Sequence, residues 1–582
     1  MKLITSRHWW PMIALAILCI AVYGRCITFE YVLYDDPNII FENEHVIQGL
    51  TWDSARWAIL HPNFGLYMPL PTLTFMLDYS LYGDWAGGFH VSTLLWHILC
   101  VCLFYRVMGR LTKNYTAVFF ASALVAIHPV QAMTINWISA RNEIMPAVFL
   151  LLCIDLYRRY TEQEKGAYRK SAFFYAMSLL CMFLGMMSKQ GAVLLPIVLL
   201  LFDYWPLKRI EISFSRFPKT LSRALTLAAE KIPYMLFSGL GVFFAFYGKR
   251  DFGAFKGSRI MSPLENIGFA MTGFIRYLFH LIYPDRYIMG FIADWTPPLW
   301  MVFGAALILI IITALALSQL WRRPWAIVLW GWFFFFLFPV SGLVRYAEES
   351  IALRYLYVPS MGLFLLLGFG LYELSTGKVQ AQKNKEPAIA PAYWVPALLL
   401  LVLLSALAFR QSGFWATSEI LAQRALVVTH GNNALAHNHL GVIRGRQGLQ
   451  KQAFAHMEKC VELEPNRNIW LTNYAIMLNT AERYKESLKI TTSLVEKIPS
   501  SPVVLNLHGA ALAGNQRFEE AIPYLERAHE MEPDYVPVLY NYGVCLFNVG
   551  RVEEAKSFLK HALEIQPTHN LSKHALAQIE AQ

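Results

Sequence analysis

Residues 31–40 read YVLYDDPNII, and the adjacent carboxylates Asp35 and Asp36 form the first acidic pair in the chain. Such a pair suits general-base work: one acid takes a proton from a hydroxyl, and repulsion between the two raises the pKa of one. Other candidates follow in order. They are His90 and His97 in GFHVSTLLWH, His128 with Arg141 and Glu143 in HPVQAMTINWISARNE, and Lys189 in SKQG. Glu348, Glu349, Arg354 and Tyr357 close the set in RYAEESIALRYLYVPSMG. The sequence has no Walker loop, no GxSxG and no HExxH.

Each residue taken alone has a plainer role. His90 and His97 lie seven residues apart, on one helix face, where bonds within a bundle would satisfy them. Arg141 and Lys189 suit anchors at a membrane surface, and Glu348 and Glu349 suit a solvated rim. The collection argues for chemistry, since ionisable groups at membrane depth are costly.

What must position them is a membrane bundle. Of 582 residues, 56% are hydrophobic and 15% charged, where a soluble chain carries about a quarter charged. An all-α polytopic fold follows, with eleven spans near 9–28, 89–109, 115–133, 144–160, 171–188, 190–206, 231–248, 298–320, 325–344, 351–373 and 392–410. The first is read as a retained span after Lys2 and Arg7, not a cleaved signal. Basic loops, such as those of Arg158 and Arg159 or Arg322 and Arg323, predict a cytoplasmic N-terminus. The acidic loop 29–88 and everything beyond 410 then lie outside. Segment 264–284, with Arg276 and His280, reads as an interfacial or re-entrant helix. The net charge of +10 fits loop anchors, and nucleic acid is not an expected partner. The eight cysteines show neither zinc nor disulfide spacing.

From 411 to 582 the sequence turns polar and periodic. Pro465, Pro499, Pro533 and Pro567 recur every 34 residues, in register with Gly441, Ala475, Gly509 and Gly543. This is the tetratricopeptide period, with small residues where paired helices touch and proline closing the second helix. Units are expected near 434–467, 468–501, 502–535 and 536–569, with a cap at 570–582. Such an α-solenoid usually offers a protein-binding groove.

The motifs YDDPNII, HPVQAMTINWISARNE, SKQGAVLLP and RYLYVPSMG, in this order and followed by repeats, resemble the transmembrane and tetratricopeptide-repeat-containing protein O-mannosyltransferases and their bacterial relatives. These belong to the C-type glycosyltransferase superfamily. The resemblance implies Asp35 as general base and Asp36 as a positioning acid, with residues 1–410 as the transferase domain. Donor phosphate would fall to Arg141, Lys189, Arg354 and His128, supported by His90, His97, Glu143, Glu348, Glu349 and Tyr357. The implied donor is a polyprenyl-phosphate-linked sugar or glycan, and the acceptor a protein bound by the repeats. The implied setting is a bacterial inner membrane, with the repeats periplasmic. A divalent ion such as Mg or Mn remains an open cofactor, with Asp35, Asp36, Glu348 and Glu349 as oxygen ligands. The sequence departs from the family pattern at Thr93, Met133, Glu143, Gln190 and Leu353, where the family carries other polar or acidic residues. A larger lipid-linked glycan, a non-protein acceptor or a non-catalytic scaffold are the alternative readings.

Overall fold

The computed structural model describes residues 9–164, 166–213, 215–249, 262–284, 296–343, 351–376 and 391–581. Among these residues the chain is helical, with one isolated bridge between Asn63 and Leu66. It divides into two compact units, Met1–Arg424 and Ala425–Gln582.

In the first unit six helices are long and apolar enough to cross a membrane: Trp9–Thr28, Ala86–Thr112, Tyr168–Ser188, Leu299–Ser318, Leu353–Thr376 and Tyr393–Gly413. Two bent pairs bring the number to eight. All eleven expected segments are helical, but three fall short as spans. Arg141–Thr161 carries five charged side chains, from Arg141 to Arg159. Leu195–Tyr204, at 10 residues, reaches only about 15 Å, half of a hydrocarbon core. Pro324–Leu337 has 14 residues. Segment 264–284 is one unbroken helix, Pro263–Ile282, started by a Ser262–Glu265 capping box and packed against Leu299–Ser318. An unbroken helix is not a re-entrant turn, so the interfacial form of that expectation is the one compatible with this geometry.

The break that matters most falls at His128. Proline forces the preceding residue out of helical geometry and donates no hydrogen bond. His128 is accordingly extended (φ −65°, ψ 133°), its Nδ1 accepts from Val130 N, and the chain turns by 47°. The stretch to Ala140 then runs through short helical turns before Arg141–Thr161 begins. That irregular path lays the backbone of Trp137, Ser139 and Arg141 beside the first loop.

The second unit stacks helix pairs, such as Pro502–Gly514 with Phe518–Met531, and ends in Asn570–Glu580. A Cβ on Gly509 would come within 2.6 Å of Leu525, and one on Gly543 within 2.9 Å of Leu559. The small residue of the period is thus required by close helix approach. The seam lies at Arg424, later than the 410 read from composition. The reason is local: Phe414–Ser418 is tied to the first loop, with Glu30 N donating to Ala416 O and Leu33 N to Ser418 Oγ.

Candidate active site

The loop after the first span is drawn inward by one of its two acids. Asp36 is fully buried, and its carboxylate accepts from Val32 N (2.9 Å), Ser139 N (3.1 Å) and Ser139 Oγ (2.5 Å). Burial pushes its pKa up to about 6, against the lowering effect of the Ser139 and Val32 donors. Pro37 then opens a π-helical turn, Pro37–Phe41. Asp36 therefore fastens the loop onto the 137–141 turn. Both its oxygens are committed to the chain itself, not turned toward a substrate as expected. Asp35 is half-buried, and Tyr34 packs on Trp137 at 5.1 Å between ring centroids.

Arg141 also differs from expectation. Its side chain is fully buried and paired with Asp78 at 2.6 Å. Its Nε donates to Thr93 Oγ1, Nη1 to Thr74 Oγ1 and Nη2 to Phe89 O, while the guanidinium lies over the Phe75 ring. With every face of the fork engaged, Arg141 locks three helices together and leaves no edge for a phosphate. His128 is spent as well: Nδ1 accepts from Val130 N, and Nε2–H donates to Leu281 O at 3.0 Å. His97 joins Tyr357, whose hydroxyl lies 2.7 Å from Nδ1, to Ala126 O. His90 Nε2 reaches Glu30 O at 3.3 Å, while its Nδ1 is buried without a partner. The three histidines and Tyr357 are ties within the bundle.

A second group is open. Glu143 sits between Lys189 Nζ (2.5 Å) and Arg354 Nε (3.9 Å), and all three side chains keep between 12 and 18% exposure. They line a pocket with Pro146, Leu150, Gly191, Tyr355 and Val340. Arg354 lies over both Trp137 (5.1 Å) and Tyr355 (4.8 Å), and Lys189 lies over Tyr355 (5.4 Å). Trp137 thus carries Tyr34, the neighbour of Asp35, and also Arg354. Among the described residues that line it, two cations face one acid, a net charge of +1.

Glu348 and Glu349 lie outside the described residues. Among the described residues no three His, Cys, Asp or Glu side chains converge as metal ligands. The sequence did not single out Asp78, Trp137, Ser139 or Tyr355. Asp78 was one acid among many in its loop. Trp137 and Tyr355 are aromatics in an aromatic-rich chain, and no spacing marks them.

The chain is similar to known proteins in both units. Patterns described as tetratricopeptide repeat match residues 434–467 and 512–579. A protein O-mannosyl-transferase of Caenorhabditis elegans is 25% identical over 480 residues, covering 78% of this chain and 63% of its own length. That share exceeds what the first unit alone contains, 424 of 582 residues or 73%, so the similarity runs through both units. The chain is a homologue of the transmembrane and tetratricopeptide-repeat O-mannosyltransferases. Protein O-mannosyl-transferase TMTC1 of Homo sapiens is 26% identical, covering 79% of this chain and 56% of its own. Protein O-mannosyl-transferase Tmtc3 of Drosophila melanogaster is 22% identical, covering 83% and 58%. The chain thus spans about three-fifths of the length of these homologues.

Proposed function

We propose that the chain is a membrane-embedded C-type glycosyltransferase that moves a sugar from a polyprenyl-phosphate donor to a hydroxyl, on protein Ser or Thr. The observation that carries this reading is the Glu143–Lys189–Arg354 pocket, linked through Trp137 to the Asp35 loop. Its net charge of +1 offsets the single charge of a sugar phosphodiester. As the bond from the anomeric carbon to phosphate oxygen breaks, the departing lipid phosphate gains charge, and Lys189 and Arg354 stabilise that gain. Asp35 takes the proton of the acceptor hydroxyl as its oxygen forms the new bond to the anomeric carbon. Asp36 holds the loop that presents Asp35.

A lipid carrier has a fitting place. The helix end that contributes Phe336 and Val340 to the charged pocket presents Phe334 and Phe338 to a largely apolar groove, also lined by Phe274, Leu309 and Ile310. The site faces the extracytoplasmic side of a bacterial inner membrane in this reading, and the repeats recruit the acceptor, raising its effective concentration.

Gln190 favours a second reading of the donor. At this position the family carries an acid, whereas the Gln190 amide here donates to Tyr67 O at 2.8 Å. A neutral residue there fits a donor other than mannose, including a larger lipid-linked glycan.

The test is intact-mass analysis of secreted and envelope proteins from cells carrying the wild-type chain, a deletion or Asp35→Asn at equal membrane level. A glycan mass lost in both altered strains supports the reading and names the sugar. A mass lost only in the deletion moves the base elsewhere. No change in any protein points to a lipid or glycan acceptor, or to a scaffold.

A further inference from the structure

In the repeat unit the first helix of each pair packs against the first helix of the next: Ala434–Arg446 on Asn468–Thr480, that on Pro502–Gly514, and that on Val536–Asn548. The second helices do not pack on one another to a comparable extent, so the first helices line the inner side of the curve. The two layers differ in charge. NIWLTNYAIMLNT, PVVLNLHGAALAG and VPVLYNYGVCLFN, the last three inner helices, contain no Asp, Glu, Lys or Arg. The outer helices carry ion pairs such as Arg483–Glu486, Arg517–Glu520 and Arg551–Glu554.

Four asparagines recur along the inner side, three on these uncharged helices and Asn438 on Ala434–Arg446, whose last turn carries Arg444 and Arg446. Asn473 Nδ2 donates to Asn438 Oδ1 at 2.9 Å, and Asn541 Nδ2 donates to Asn506 Oδ1 at 2.8 Å. Each bond links residues 35 apart on neighbouring inner helices, and the two bonds lie two repeats apart. Asn438 and Asn506 are each only 6% exposed. Each bond uses one amide hydrogen of the donor and one lone pair of the acceptor. Among the described residues no side-chain bond engages the amide of Asn438 or Asn506, or the carbonyl oxygen of Asn473 or Asn541. A pair thus offers an N–H donor and a C=O acceptor, which is the complement of a peptide main chain. Ile469 and Ile476, about half exposed on the same inner helix as Asn473, supply apolar contact.

We propose that this inner face binds an extended, uncharged stretch of the acceptor protein, with the two asparagine pairs gripping its main chain. Inner helices about 8–10 Å apart put the two pairs some 16–20 Å from each other, the reach of about five or six extended residues. Recognition through main-chain amides tolerates many side chains, while the last three inner helices, without charge, offer no partner to an ionised one. Only the word acceptor rests on the transferase reading; peptide capture itself does not.

The experiment measures binding to the full-length protein in detergent by fluorescence anisotropy, with transfer assayed separately. The probes are a labelled ten-residue peptide of alternating Thr and Val, its counterpart with Asp at every second position, and the neutral peptide N-methylated at alternate amides. Neutral peptide is expected to bind at least tenfold more tightly than the other two. Asn473→Ala with Asn541→Ala should weaken neutral binding by a similar factor, with circular dichroism unchanged. Equal binding of the N-methylated or acidic peptide overturns the proposal, as does no binding of the neutral one. Transfer lost while binding persists instead counts against the reading of the membrane unit.

Discussion

Arg141 and Glu143 stand two residues apart at the start of one helix, yet they belong to opposite kinds of ion pair. The Arg141–Asp78 pair is sealed, with all three guanidinium nitrogens engaged by Asp78, Thr74, Thr93 or Phe89 and the side chain fully buried. The Glu143–Lys189–Arg354 group is open, partly exposed, and holds two cations to one acid. A saturated, buried pair fixes geometry and has nothing left for a ligand, whereas a partly exposed group keeps a face that a ligand can reach. The largest effect should come from breaking the sealed pair. Arg141→Ala leaves Asp78 buried without its partner, a loss of about 3–5 kcal/mol, seen as a collapse of thermal stability in detergent. Arg141→Lys should rescue little, since an ammonium cannot span Thr74, Thr93 and Asp78 together.

Arg354→Ala should do the reverse. Melting should move little, while transfer falls by roughly 10²–10³-fold, the range for losing one donor to developing charge. The readout is kcat/KM beside a melting curve. If Arg141→Ala folds and only loses rate, or Arg354→Ala only unfolds, the distinction between sealed and open pairs fails.

That distinction was not available from residue types. Arg141, Lys189 and Arg354 look alike in sequence, all cations near the end of a span. What separates them is the partner set, and Asp78 and Thr74 approach Arg141 from more than sixty positions away. The repeats were legible because a 34-residue period is local and each unit packs on its neighbour. Composition located the apolar segments. It could not say that Leu195–Tyr204 stops after 10 residues, because that depends on where Trp205 and Pro206 turn the chain. Asp36 read as half of a catalytic pair because adjacency is visible in sequence. The Ser139 donors that claim it lie 103 residues on.

At the far end of the Arg141–Thr161 helix, about 24 Å from Arg141, a charge-balanced cluster joins buried Asp203 and Lys231 to Arg209 and Glu230, which keep 18% and 17% exposure. Tyr157 Oη bonds Asp203 Oδ1 (2.8 Å) and Glu230 Oε1 (2.8 Å) and accepts from Arg209 and Lys231. Tyr157→Phe should lower stability by about 1–3 kcal/mol, the cost of buried groups left unpaired, without changing transfer kinetics.

Asp36 sharpens the comparison through pH. Above its pKa of about 6 it is ionised and accepts from all three donors; protonated, it loses acceptor capacity and its hold on the loop slackens. Transfer should therefore show an acid limb with a midpoint near 6. Because the folded pKa lies above that of an unfolded aspartate, this group adds stability as pH falls from 6 toward 4. The limb is then a loss of activity and not unfolding, which a pH series of melting curves would separate. Ser139→Ala removes a donor that lowers the pKa, so the midpoint should move upward.

The smallest effect belongs to a third kind of pair, exposed on both sides. Arg517 and Glu520 meet at 2.6 Å but keep 46% and 57% exposure, in water that screens their attraction and offers each a replacement partner. The same pairing opens the outer helices at Arg483 and Arg551, so its recurrence follows the repeat and not a site. Arg517→Ala should leave both the melting temperature and transfer unchanged within error. Distance alone would rank this pair with Arg141–Asp78, also at 2.6 Å. A substantial loss on removing Arg517 would mean that closeness, and not enclosure, governs these pairs, and would undo the argument that separates Arg141 from Arg354.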